Sequence, residues 1–336
     1  MAYGGDVSVY VEDTPGDQGG TTGPPPFWLS PDVDIPAHTG LAGQGSNDVQ
    51  IRVHSRDEPI LTEKITAEVY VGQPSLAMSP TVGTKRIDPG LTFRPPGVAG
   101  TEPVADIPGG TTTFPWTPSS DPTNVDGPGH RCLVVRAFPV SVPPPPDPFT
   151  PATEQHEAQH NIEILSTTKM FGGMDEGGAG TPHDPRRRDK QSGMWWEWLS
   201  TIGPRGLGVR YVVWAFDPAP PEVVRRAVGH TVISREPPTK LAIEPDPKHG
   251  KTVDPHDLLS NGPFVEQSGL GQGLWAPERL LAGAEVELRP TEITKLLLRF
   301  DHSHLKAHSA VVLHGVQWDE HGRPEGGMTV VALAPV

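Results

Sequence analysis

The chain has 336 residues, a formal net charge of −14 and one cysteine, Cys132. Such a charge argues against nucleic acid and anionic membranes, which are met by clustered Lys and Arg, and a single cysteine excludes an internal disulfide. With 41 prolines and 38 glycines the content of helix breakers is about twice the usual ~12%, so short strands and long ordered loops are expected in place of long helices.

The length suggests two domains, each with apolar residues for a core, since 35% of the chain is hydrophobic and eight residues are tryptophan. Residues 6–11 (DVSVYV) alternate polar and apolar, as an exposed strand does. A turn-rich run to residue 29 follows, so residues 1–29 are expected to form an extended arm. A lone terminal strand must pair with a sheet edge. Val7, Val9 and Val11 are therefore candidates for adding to a sheet edge, in their own domain or in a neighbour. Residues 47–54 alternate cleanly, with Val49, Ile51 and Val53 on one face and Gln50, Arg52 and His54 on the other. Residues 65–71 repeat the pattern, and 111–116, 130–138 and 161–165 complete a set of short strands. Cys132 falls in the apolar run CLVV, a core position.

Residues 166–208 are Gly-rich with MWWEWL embedded, and a connector is expected there. Strands are expected again at 210–216, 284–289, 294–300, 310–318 and 327–333. Residues 221–228 have the composition of one or two helical turns, with Pro tolerated at their start, and a short helix is expected near 277–281. The fold class is all-β: two Ig-like or jelly-roll-like sandwiches over 30–165 and 209–336, with the arm and long Pro/Gly-rich loops. The N-terminal sequence lacks the basic and apolar regions of a signal peptide, and no apolar run is long enough to span a membrane. Any exterior location then implies a non-classical route; otherwise the cytoplasm is expected.

The order of signals over 30–165 resembles the bacterial Ig-like modules called CARDB-like, a cell-adhesion-related type. The resemblance rests on SPDVDI at 30–35, GSNDVQIRVH at 45–54, AEVYV at 67–71, GHRCLVVR at 129–136, and Glu157 with Asn161 leading into the last strand. It covers about 40% of the chain and departs from the usual form in its longer loops and a Pro-rich insertion at 143–148. It implies a module that binds or spaces and does not catalyse, with the strand after Asn161 completing the sandwich.

One segment invites a different chemistry. His156-Glu157-Ala158-Gln159-His160 is a literal HExxH. On a helix its two histidines share one face and one zinc ion, and the glutamate serves as general base. Pro148 and Pro151 upstream and the strand-like NIEI downstream leave barely two turns for such a helix. The third-ligand candidate, Glu176, lies in a Gly-rich run. His302 and His304 would share a face on a strand and form a second metal candidate, against a solvated turn. Asp13, Asp17, Asp32 and Asp34 have the composition of a calcium loop but not its EF-hand spacing, and turn chemistry accounts for them. The basic run 186–190 reads as a solvated loop. Trp195, Trp196 and Trp198 cannot all face one core in an extended segment, so some are candidates for a ligand or subunit contact.

The expected function is that of a non-catalytic structural or adhesive protein. No cofactor is expected. Partners would be further copies or other proteins met through sheet edges and the arm. The alternatives are a zinc hydrolase using Glu157, or a module that binds surface glycans through exposed tryptophans.

Overall fold

The structure, a computed structural model, describes residues 9–19, 26–35, 47–56, 63–73, 75–105, 109–119, 121, 124–127, 131–145, 147, 149–166, 194–202, 208–261, 273–301 and 305–333. For 162–166, 194–200, 202 and 261 it describes the backbone alone. The chain divides into two compact units. The first comprises Met1–Gln73, Met78–Ser120 and Val125–Asn161. The second comprises Ile162–Val336 with Pro74–Ala77 and Asp121–Asn124.

The first unit is a sandwich of two sheets. One holds β1 (Val9–Tyr10), β2 (Val33–Asp34), β3 (Asn47–Ser55) and β7 (Gly110–Trp116), all paired with β3. The other runs β5 (Thr84–Arg86), β4 (Ile65–Gly72), β8 (Cys132–Pro139), β9 (Glu157–His160), with β6 (Leu91–Phe93) also on β4. The alternation read from sequence is the cause. Val49, Ile51 and Val53 of β3 face Ile65, Ala67, Val69 and Val71 of β4 and Leu133, Val135 and Ala137 of β8 across one buried core. Residues 28–30 bond the edge of β9, with Asn161 N–H donating to Trp28 O and Ser30 N–H to Gln159 O, before the chain crosses to β2 in the other sheet.

Residues 9–11 of the N-terminal segment do not form a free arm. β1 pairs with β3 of its own unit, and Val9 and Val11 are core residues, fully buried. The Gln155 side-chain amide and the Gln155 carbonyl lock them from the other side. Pairing within the unit costs less entropy than recruiting a neighbour, because the chain is already tethered. Val7 lies outside the described residues.

The second unit holds a larger sheet and a smaller one. The larger runs β10 (Ile162–Ser166), β19 (Pro324–Leu333), β18 (Ser309–Trp318), β12 (Gly208–Phe216), β16 (Leu280–Leu288), β15 (Gly250–Val253), with β13 (Val232–Ile233) also on β18. The smaller runs β11 (Met194–Ile202), β17 (Ile293–Asp301), β14 (Thr239–Pro245). On β17, Thr294, Leu296, Leu298 and Phe300 are buried and alternate with more exposed residues, as on a half-covered sheet. Two helices, α1 (Glu222–Val228) and α2 (Pro255–Asn261), are short. The first fulfils the helical expectation at 221–228. Two 3-10 turns stand at Gly273–Trp275 and Pro277–Arg279.

Two boundaries differ from the sequence expectation. The strand after Asn161 pairs in parallel with β19, Ile162 opposite Thr329, so it completes the second unit and not the first sandwich. The expected connector at 166–208 contains β11, a nine-residue strand paired with β17 along its whole length.

Candidate functional site

The HExxH segment folds as the end of a turn and β9, not as a helix. Four residues along a strand span roughly 13 Å at ~3.3 Å each, too far for His156 and His160 to share one ion. Alternation also parts Glu157 from the ligands. Ala158 and His160 lie opposite Val135 and Leu133 of the core face, whereas Glu157 lies opposite Arg136 on the other. Each histidine is committed elsewhere: His156 Nδ1 is 2.5 Å from Glu154 Oε1, and His160 Nδ1 is 3.0 Å from the Ser30 carbonyl. Glu157 is buried, accepts the Thr150 N–H at 2.5 Å, and burial pushes its pKa up to about 8. Glu176, His302 and His304 lie outside the described residues, as does the basic run at 186–190.

Beside Glu157 on that outer face, Arg136 anchors a buried polar network. Its Nε donates to Glu68 Oε2 at 2.6 Å, its Nη2 to Tyr70 Oη at 3.1 Å and its Nη1 to the Pro145 carbonyl at 3.0 Å. The guanidinium lies over the rings of Tyr70 and Phe149. The Pro-rich insertion thus has a function in the fold: it supplies the carbonyl that satisfies Arg136.

In the second unit His314 joins Thr329 and Asp217, with Nδ1 2.8 Å from Thr329 Oγ1 and Nε2 3.1 Å from Asp217 Oδ2. These are the parts of a hydroxyl-imidazole-carboxylate relay. Thr329 and His314 are entirely without solvent exposure, so no substrate carbonyl reaches the hydroxyl and the group serves as a buried brace between β18 and β19. Burial raises the Asp217 carboxyl, but the His314 hydrogen bond and charge outweigh it and hold the pKa below the usual value. A second buried chain joins Arg210 Nε to Glu325 Oε2 at 3.2 Å and Gln317 Nε2 to the same oxygen at 2.7 Å. Thr201 Oγ1 donates to Gln317 Oε1, tying β11 to β18.

Among the described residues, donors with the chemistry of a metal site meet once, in the first unit. Glu12, Asp32 and His54 bring one ligand atom each within 4.8 Å of one another. Asp17 is a turn organiser: its carboxylate accepts the N–H groups of Asp13, Thr14 and Gly19. Asp13 is buried, and burial with the neighbouring charges of Asp17, Glu157 and Asp32 raises its pKa well above normal. The acidic residues were visible in the sequence, but His54 as their neighbour was not. Strand alternation put it on an open face, whereas Tyr10 stacks on its ring at 4.9 Å and leaves it 3% exposed.

The smaller sheet of the second unit presents a different surface. Its register sets Trp196 opposite Arg299 and Trp198 opposite Leu297, and Trp195 opposite Phe300. Phe300 is fully buried, whereas Arg299 and Leu297 are half-exposed. The same outward row carries Ile293, 45% exposed, and Glu244, which pairs with Arg299. At its end lies an open cleft of about 800 Å³ lined by Glu244, Pro245, His249, Lys251, Ile293 and Leu297.

No protein-family model matches the chain, and no curated protein sequence does. Among solved structures, the C-terminal domain of the Streptococcus pyogenes antigen I/II-family protein AspA aligns at 8% identity over 89% of this chain and 97% of that one, with a TM-score of 0.21. The B domain of a biofilm-associated protein aligns at 5% identity over 90% and 83%, TM-score 0.20. The Enterococcus faecalis MSCRAMM ACE aligns at 7% over 90% and 94%, TM-score 0.17. Superposition at these scores establishes no shared topology.

Proposed function

We propose that the chain is a non-catalytic binding protein that engages a protein partner through the outward face of the β11–β17–β14 sheet. The observation that carries this reading is the register of β11 on β17. It aligns Trp196 and Trp198 with the half-exposed row of Arg299 and Leu297, while Trp195 aligns with the buried Phe300. Tryptophan and arginine are the residue types that dominate protein interfaces. The exposed Ile293 and the Arg299–Glu244 pair add apolar and charged contacts on the same row. Such a mixed surface suits a protein better than a glycan, which would stack on tryptophans without needing the ion pair.

The polar groups that resemble reaction centres support the same reading. Glu157 is held away from its histidines, and the His314 group has no exposed hydroxyl.

The test is a binding comparison of the Trp196→Ala/Trp198→Ala double variant with the parent chain, against arrayed extracellular proteins and glycans. Binding to a protein that is lost in the double variant at unchanged melting temperature supports the proposal. A glycan hit with the same dependence replaces the partner class, and a hit indifferent to both tryptophans removes this face from the function.

A further inference from the structure

We propose that Glu12, Asp32 and His54 form a binding site for a divalent ion of the zinc class, one that fastens the segment after β1 onto the four-stranded sheet of the first unit. The three residues come from three places: the segment just after β1, the residue before β2 and the far end of β3. Sheet pairing brings them together, since Tyr10 lies opposite His54 and β2 lies against the middle of β3.

The geometry departs from that of an ordinary buried ion pair. The Asp32 side chain is wholly buried, and Oδ2 accepts the Glu12 N–H at 2.7 Å. His54 Nε2 is 2.8 Å from that same oxygen, yet neither ring nitrogen of His54 makes a hydrogen bond. The ring is therefore close to the carboxylate but turned off the N–H axis. A buried imidazole that serves only as a partner of aspartate aims its N–H at the oxygen. Two ligands of one ion, each bonded at ~2.0–2.2 Å, sit about 3 Å apart with no hydrogen between them, and that is the separation found here. Asp32 Oδ1 also lacks a hydrogen bond. An unsatisfied buried carboxylate oxygen is costly, and a bound cation satisfies it.

Glu12 supplies the third donor. It is half-buried, and one of its oxygens accepts the Gly16 N–H at 3.2 Å. Its partial exposure gives an ion a path from solvent. Two carboxylates and one imidazole with room for water make a nitrogen-oxygen set suited to zinc, manganese or cobalt; calcium takes oxygen ligands almost alone. Arg52 is the competitor. Its Nη1 stands 3.8 Å from Asp32 Oδ1, but its side chain is 41% exposed and its Nε rests on Thr111 Oγ1 at 3.3 Å, so it can turn outward when an ion enters.

The experiment uses the full chain, stripped with chelator and titrated with zinc chloride, with zinc per chain counted after dialysis and binding followed by calorimetry. The expected result is one zinc per chain, bound at least tenfold more weakly by Glu12→Gln, lost in His54→Gln, and bound several-fold more tightly by Arg52→Gln. His302→Ala/His304→Ala is expected to leave this zinc in place. Glu12→Gln is the decisive variant, because a half-exposed side chain changes without emptying the core and a melting curve confirms folding. No stoichiometric zinc in the parent chain overturns the proposal. So does zinc retained at full affinity in Glu12→Gln. Neither result bears on the tryptophan face of the other unit.

Discussion

Glu157 sits where alternation along β9 sends it away from the core, into the polar layer anchored by Arg136. Burial raises its pKa to about 8, so the folded chain holds this proton where the unfolded chain has released it. With a folded pKa above the unfolded value, the stabilising contribution is complete below about pH 4.5 and is lost as the pH rises through about 8. Glu157→Gln keeps the acceptor for Thr150 and cannot ionise. It should match the parent chain at pH 5 and exceed it at pH 8.5 by a few kcal/mol, on the order of 1.4 per pKa unit. Urea titrations at the two pH values decide this, and equal stability at both would show that the carboxyl has another outlet for its charge. Arg136→Met takes from the buried Glu68 one of its two arginine partners, while Arg86 Nη1 stays 2.6 Å from Oε1. A loss of about 1–3 kcal/mol is expected, the cost of hydrogen bonds removed with one partner kept, read from the same titrations. Residue identities were legible in the sequence, but residue neighbourhoods were not. Glu12 follows β1, Asp32 precedes β2 and His54 lies on β3, and no spacing rule links them. HExxH has the opposite weakness: its spacing has meaning only on a helix, and the flanking prolines and the strand after it leave no helix to carry it.

At the level of elements, alternation was a dependable guide wherever one face of a strand is buried, as on β3, β4 and β17. It said nothing about which strand would be the neighbour. NIEI reads as a strand in either unit, and only backbone pairing assigns Ile162–Ser166 to β19. Gly-rich sequence around the tryptophan run gives it the look of a connector, although its nine residues hold a full register with β17. Two outcomes follow from these assignments. Trp195→Ala should lower the melting temperature, since its position faces the row of Phe300 and Leu298, whereas Trp196→Ala should leave it near the parent value. Comparable losses from both would contradict the register. Val11→Ala removes part of a fully buried side chain and should cost on the order of 1–3 kcal/mol. Light scattering should show an unchanged mass, because β1 spends its hydrogen bonds within its own sheet.

For the molecule as a whole, each unit carries a buried carboxyl with a raised pKa: Glu157 in the first, and Glu325, raised by burial to about 7, in the second. Both withdraw stability as the pH climbs from about 4.5 toward 7–8. Asp88 and Asp217 act in the other direction. Burial raises each, but hydrogen bonds, to Arg86 in one and His314 in the other, prevail and hold them low, so their contribution is lost as the pH falls through their folded values. Melting temperatures across pH 3–9 should therefore peak on the acid side of neutrality, near pH 5, and a maximum above pH 8 would contradict the burial of both glutamates. All-β architecture and the division into two units followed from composition and length. The unit boundary did not, because it depends on a parallel pairing between residues far apart in the chain. The most direct measurement is the array comparison carried out with three proteins in parallel: the parent chain, Trp196→Ala/Trp198→Ala and Glu157→Gln. Binding to a protein partner that disappears in the tryptophan variant and persists in Glu157→Gln is the expected result. Binding untouched by the tryptophan changes would contradict the role of this sheet face, and a hydrolytic activity of the parent chain that Glu157→Gln abolishes would contradict a non-catalytic chain.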